Sequence, residues 1–76
     1  MSWNYRILQV YDEVYEMIEV YYNADGSIGS WTENTVKPFG DSKEELAAVI
    51  EMMLAAQLLP VLAESLDGDE LLELDY

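Results

Sequence analysis

The chain contains no cysteine and no histidine, and only three of its 76 residues are basic. Without cysteine there are no disulfides and no thiol chemistry. Without either residue, structural zinc and imidazole acid–base catalysis are excluded as well. A cysteine-free chain suits a reducing cytoplasm, the compartment expected here, although either redox environment would tolerate it. Long apolar runs are also missing: no stretch approaches the roughly eighteen consecutive apolar residues of a membrane span. The start, Met1-Ser2-Trp3-Asn4-Tyr5-Arg6, lacks the basic opening and apolar run of a signal peptide.

The scarcity of bases dominates the charge. Arg6, Lys37 and Lys43 face sixteen acids, for a formal net charge of −13 and a pI near 4.1. Nothing after Lys43 is positive. From Glu44 to Tyr76 there are nine acids and no base, a net −9, and residues 1–43 carry the other −4. Phosphate contacts need Lys and Arg, so direct binding to nucleic acid or to an anionic membrane is not expected. Self-repulsion should cost some stability, and salt should relieve it.

What is present is enough for one small domain with a modest core. The hydrophobic fraction of 51% argues against global disorder. The clearest element is a helix from Ser42 to about Leu58. Ser42 is a good N-cap and Glu45 follows three residues on, where a capping box places its acid. Glu44 and Glu45 add negative charge at the positive end of the helix dipole. Leu46, Val49, Ile50, Met53, Leu54 and Gln57 then repeat with the rhythm of one buried stripe. Pro60 disfavours helix at Leu59 and sets the stop.

Residues 2–11 and 14–22 are rich in Tyr, Val, Ile and Trp and read as strands. Asp25-Gly26 marks a hairpin turn, and a third strand runs from Ile28 to about Asn34. The expected fold is therefore α+β: a three-stranded antiparallel β-meander with one main helix packed on one face (βββα), plus an acidic C-terminal extension. The domain spans residues 1–62. The extension spans 63–76 and is either flexible or a short helix, with Glu70-Leu71-Leu72-Glu73-Leu74-Asp75-Tyr76 as its helical turn, or frayed until a partner orders it. Tight turns at Asp12-Glu13 and Asp25-Gly26 place Trp3, Tyr5, Ile7, Val14, Ile18, Val20, Tyr22 and Trp31 on one face, the face the helix should cover. They set Arg6 opposite Glu19 and leave Leu8, Val10, Tyr15, Met17 and Tyr21 on the other face. Asp12-Glu13 is a poor two-residue turn, however, and an odd-length connection would invert strand one against strand two.

Several of these pieces recur together: Trp3-Asn4-Tyr5-Arg6, Glu19-Val20-Tyr21-Tyr22, Asp25-Gly26, Trp31-Thr32-Glu33, Pro38, the Ser42–Leu46 helix start, Met53-Leu54 and Pro60-Val61-Leu62. In them the chain resembles a group of short uncharacterised bacterial proteins. The likeness covers roughly residues 2–62; it implies one strand-strand-strand-helix domain and no particular activity. The acidic tail from Glu64 onward lies outside it.

No motif points to catalysis, a cofactor or a metal. Paired carboxylates could serve a glycosidase-like cleft, but a chain this short rarely shapes one, and the protein is not expected to be an enzyme. Asp67-Gly68-Asp69-Glu70 lacks the alternating oxygen ligands and closing glutamate of an EF-hand loop. Two interaction surfaces are expected instead. Tyr11, Tyr15, Met17 and Tyr21 form an apolar patch of the kind a monomer seldom leaves bare, suited to a partner or a homodimer. Glu44, Glu45, Glu51, Glu64, Asp67, Asp69, Glu70 and Glu73 form an acidic array. Carboxylates one helical turn apart stand about 5–6 Å apart, close to the spacing of neighbouring phosphates. Such a body would be steered toward a basic groove that normally holds DNA or RNA. The expected function is a non-catalytic acidic protein-binding module, an inhibitor of anti-CRISPR or anti-restriction type that mimics nucleic acid on a nucleic-acid-processing enzyme. The alternative is a small self-associating cytoplasmic protein whose acids only keep it soluble.

Overall fold

The computed structural model describes residues 2–34 and 36–74. Five strands form one sheet: β1 (Ser2–Tyr11), β2 (Val14–Tyr22), β3 (Ile28–Trp31), β4 (Leu62–Glu64) and β5 (Leu71–Glu73), with α1 (Lys43–Ala55) between β3 and β4. The spatial order is β3-β2-β1-β4-β5. All neighbours are antiparallel except β1 and β4, which run parallel through the pair Leu8–Leu62. The sheet curls into a half-barrel, so that its two edges line one cleft: Ile28, Gly29 and Trp31 come from the β3 side, and Asp69, Glu70 and Leu71 from the β5 side.

This overturns the three-stranded meander with an acidic appendage, though the α+β class stands. Residues 62–64 and 71–73 supply two strands, and residues 75 and 76 of the expected extension lie outside the described residues. The reason lies in β1. Its turn to β2 is the two-residue Asp12-Glu13 connection, with Tyr11 opposite Val14 and Glu13 at a φ of 63°. One step further, Gln9 pairs with Tyr15, so Val10 is an extra residue, a β-bulge. The bulge shifts the register by one and exchanges the two faces of β1 along the rest of its length. Arg6 therefore lies opposite Ile18 rather than Glu19, and Leu8 opposite Glu16.

Leu8 consequently shares the concave face with Ile18 and Val20. Together with Leu62 they form the buried core, against which Val10, Tyr22, Ile28, Trp31 and Leu71 pack. Leu62 and Val20 are fully buried. Leu8 and Val10 turn inward on β1, and β4 joins the sheet beside that strand, with Leu62 next to Leu8. Helix propensity in Glu70-Leu71-Leu72-Glu73 yields to this tertiary demand. The β4–β5 hairpin closes through Ser65–Glu70, where the Ser65 amide donates to the Glu70 carbonyl (2.9 Å) and Gly68 takes a φ of 76°. That φ suits glycine and strains other residues.

Away from the turn the β2–β3 register is the expected one, Val20 pairing with Trp31 and Tyr21 with Ser30; nearer the turn a bulge at Gly29 sets Tyr22 opposite Ile28, and Asn23 rather than Ala24 bonds to Ser27. The Asp25 carboxylate holds the turn by accepting from the Ser27 amide (2.9 Å) and hydroxyl (2.6 Å). The helix also starts as read: the Ser42 hydroxyl accepts from the Glu45 amide (3.1 Å). It ends in a 3-10 turn at Ala56–Leu58 before extended Leu59. Gly40 permits the chain to enter the helix closely, since a Cβ there would lie 2.5 Å from the Leu46 backbone nitrogen.

α1 lies over the convex face, the face that Met17 shares with Tyr5 and Ile7; Met17, Pro38, Ile50, Met53, Leu54 and Gln57 line one cavity of about 350 Å³. Leu46, Val49 and Met53 are half-buried and Ala56 is buried, while Ile50 and Leu54 of the expected stripe are left exposed. No residue of the helix proper is fully buried.

The inversion of β1 also carries a cation inside. Arg6 is only 6% exposed. Its guanidinium donates to the Tyr22 hydroxyl (2.9 Å), the Pro60 carbonyl (2.8 Å) and Glu73 Oε2 (3.3 Å). The Tyr22 hydroxyl in turn donates to Asn4 Oδ1 (2.8 Å). The cluster ties β1 and β2 to the end of the helical segment and to β5. Arg6 Nε has no partner among the described residues, so the burial is incompletely compensated.

Four substitutions probe this packing. Leu62→Ala should cost about 3 kcal/mol by loss of apolar contacts and an unfilled cavity, a large share of the stability of a domain this small. A urea midpoint unchanged by Leu62→Ala would mean that the C-terminal strands are not part of the folding unit. Arg6→Ala should cost about 2–4 kcal/mol, because the Tyr22, Pro60 and Glu73 partners lose their donor. Arg6→Met, which keeps the volume, should cost less. Glu73→Gln should change the midpoint little, the Glu73 side chain being 62% exposed.

Candidate functional site

The curl of the sheet assembles carboxylates that are far apart in sequence. Gly29, Ser30, Trp31 and Glu33, from β3 and its exit, face Glu64, Gly68 and Asp69 of the β4–β5 hairpin across a cavity of about 580 Å³. An adjoining cavity of about 250 Å³ shares Gly29, Trp31 and Asp69 and adds Ile28, Glu70 and Leu71. Together they form one cleft with Trp31 in its wall and Glu33, Glu64, Asp69 and Glu70 around it. The residues that shape it are the same ones that close the core edges, since Ile28, Trp31 and Leu71 all pack against the buried cluster.

Of the eight acids expected to form one array, the structure brings Glu64, Asp69 and Glu70 together in this cleft. Glu33 joins them, and sequence reasoning missed it. Its signal was indirect: it follows Trp31 just past the end of a strand whose open edge only a fourth and fifth strand could bring toward the hairpin. Glu44, Glu45 and Glu51 belong to α1, on the convex side, and are exposed there.

Two more of the eight have internal partners. Glu73 accepts from Arg6. Asp67 closes its own loop, accepting from the Ser65 hydroxyl (2.6 Å) and the Asp69 amide (3.1 Å), while the Ser65 hydroxyl accepts from the Glu70 amide (3.2 Å). The Ser65 hydroxyl and then the Asp69 amide hold the Asp67 carboxyl below its ordinary pKa of 3.8.

The expected aromatic patch is divided. Tyr15, Met17 and Tyr21 do share a face, opposite Gln9, Ile7 and Trp3 respectively, but that face is the one under α1. Tyr15 is half exposed, whereas Met17 and Tyr21 are half-buried. The Tyr21 hydroxyl donates to Glu19 Oε1 (3.2 Å). Desolvation first, and the Glu19 carboxylate second, raise the pKa of Tyr21 and of the neighbouring Tyr5. Tyr11 lies beyond the bulge and borders a different cavity of about 490 Å³, with Gln9, Val10, Asp12, Ala63, Glu64 and Leu74. Trp3, expected inside, is instead on the convex face, where its ring meets Tyr5 edge to face at 5.2 Å.

Among the described residues, no group of three acids is placed to hold a metal ion, and no helix is long and apolar enough to cross a membrane. No family model, curated protein or solved structure matches the chain. The likeness to short bacterial proteins therefore rests on the quoted residues alone.

The loop role of Asp67 has a pH signature. Its folded-state pKa is lowered, so its contribution is complete above the ordinary value of 3.8 and is lost as pH falls through the folded pKa. Asp67→Ala should be less stable than the parent chain at neutral pH, and the gap should narrow on acidification. Urea unfolding followed by tryptophan fluorescence measures it; a gap of constant size across the acid range would remove Asp67 from the hairpin's energetics.

Proposed function

We propose that the protein is a non-catalytic binding module whose cleft accepts the cationic side chains of a protein partner. In the fuller form of this reading, the partner surface is a basic groove of a nucleic-acid-processing enzyme, and the bound module stands in for nucleic acid. The observation that supports it is the grouping of Glu33, Glu64, Asp69 and Glu70 around Trp31 in a concave surface. A cleft lined by one sign of charge focuses field lines and raises the local concentration of the opposite charge. An indole wall suits Lys or Arg, whose charge is drawn to the ring face. The net charge of −13 extends the attraction beyond contact range and favours rapid encounter.

The cleft rather than the helix carries this reading. Glu44, Glu45 and Glu51 lie on the other side of the sheet and cannot meet the same flat surface as Glu64 and Asp69. A partner groove would therefore engage the hairpin side, and the helix acids would add only long-range steering.

An arginine-rich peptide is a sufficient probe. Its binding should perturb Trp31 fluorescence and weaken steeply with salt. The triple change Glu33→Gln, Glu64→Gln, Asp69→Asn should weaken it by about tenfold to a hundredfold, at roughly 0.5–1 kcal/mol for each partly solvated charge contact. Glu44→Gln with Glu51→Gln should change affinity much less. Equal losses from the helix pair and the cleft triple would show that net charge, not the cleft, does the binding.

A further inference from the structure

We infer that the exposed flank of α1 is a homodimer interface, with a second copy of this chain packed antiparallel across it. The inference is independent of the acidic cleft, which lies on the concave side of the sheet.

The helix leaves a strip of apolar surface open. Leu46, Val49, Met53 and Ala56 turn toward the sheet, but beside them Ile50, Leu54 and Leu58 follow one another at four-residue spacing and are 48%, 60% and 82% exposed. Phe39, 72% exposed, and Pro38 precede the helix, and Pro38 and Met17 border the same groove as Ile50 and Leu54. With about 150–250 Å² for a large apolar side chain, the four exposed residues present roughly 500 Å². A stable interface buries about 800 Å² per partner, a little over half of it apolar. The flank is thus of the size a dimer needs.

The distribution of charge selects a second copy. From Met52 to Ala63 the chain carries no charged residue, its longest such run. Glu44 and Glu51 border the open stripe from the N-terminal half, and Lys43 stands at the stripe's N-terminal end, four residues before Ala47 and seven before Ile50. Placing two helices parallel would set Lys43 beside Lys43. An antiparallel pair about a two-fold axis near Ile50 and Leu54 separates the two lysines and sets each copy's Glu44 against the uncharged run of the other, with the two Glu51 carboxylates meeting near the axis, where salt screens them. It also brings Lys43 to the C-terminal end of the copy's helix. The last turn there has no basic residue of its own, and its negative dipole end favours a cation. Lys43 has no ion-pair partner among the described residues. Two features of one helix, a cation at one end and an unmatched dipole at the other, thus complement each other through a copy.

Sedimentation velocity from about 5 to 200 μM, the range where interfaces of this size dissociate, tests the inference. The chain should show a reversible monomer–dimer equilibrium that tightens as salt rises, because salt screens the repulsion between two bodies of −13. Binding of a cationic peptide at the cleft should show the opposite salt dependence, so failure of one reading is distinguishable from failure of the other. Leu54→Glu and Ile50→Glu should each abolish the dimer while the circular dichroism spectrum is retained, both positions being exposed. Lys43→Glu should weaken it about fivefold. Leu72→Glu, at an exposed position on β5, should leave it unchanged. A monomer at the highest concentration in both low and high salt overturns the inference, as does a dimer that survives Leu54→Glu.

Discussion

The structure turns on one extra residue. Val10 is accommodated as a bulge two positions before the first hairpin turn, and every residue of β1 upstream of it faces the side opposite to that of a regular ladder. That single shift decides what is inside. Leu8 is placed beside Ile18 and Val20, while Tyr5 and Ile7 are placed under the helix. It also brings Arg6 into the concave face, the only buried charged side chain among the described residues. Once Arg6 is there, it needs acceptors, and they come from a distance: the Tyr22 hydroxyl, the Pro60 carbonyl and Glu73. The bulge, the buried cation and the recruitment of the C-terminal strands are one linked solution. A regular β1 would have left Arg6 outside and given β4 and β5 nothing polar to hold.

The parts of this fold that were legible in the sequence are the local ones. Ser42 as N-cap, the stop before Pro60, the Asp25-Gly26 turn and the Val20–Trp31 pairing each depend on a few adjacent residues whose chemistry admits few alternatives. The bulge was not legible, because Leu8-Gln9-Val10-Tyr11 alternates acceptably in either register and no glycine marks the site. From that miss the others follow. With Leu8 and Val10 assigned to an outer face, Leu62 had no core to join. Leu71-Leu72-Glu73 then read by propensity as helix rather than as an edge strand. The site shows the same division. Glu64, Asp69 and Glu70 are neighbours in sequence and were found together; Glu33 reaches them only because the sheet curls.

The acids are sorted more than the net charge suggests. Asp25 and Asp67 spend their carboxylates on turns, and both are held below the ordinary pKa by serine hydroxyls and backbone amides. Glu73 neutralises the buried arginine. The side-chain carboxylates of Glu33, Glu64, Asp69 and Glu70 in the cleft have no such partner among the described residues. A carboxylate that neither shapes a turn nor balances a cation contributes mainly repulsion to the isolated fold, so concentrating four of them around Trp31 opposes stability. The counterpart lies along Met52–Ala63, where charge is withheld altogether. The molecule thus separates an acidic surface from an uncharged, apolar one.

This separation couples binding to stability in a definite sense. A cation entering the cleft relieves repulsion that the unfolded chain, with its acids spread over a larger volume, does not feel to the same degree. Closure of the cleft depends on β5, whose attachment to the sheet is short: three residues paired with β4, Leu71 against the core, and Glu73 on Arg6. A short edge strand of the half-barrel is therefore also one wall of its acidic cleft. Ligand that bridges Glu33 on the β3 side and Asp69 on the hairpin side would hold the two edges together from outside, as the Arg6 cluster does from within. On the proposed reading, the repulsion among the cleft carboxylates sits at the junction where a cationic partner would release it, and would add to the affinity for such a partner what it subtracts from the free fold.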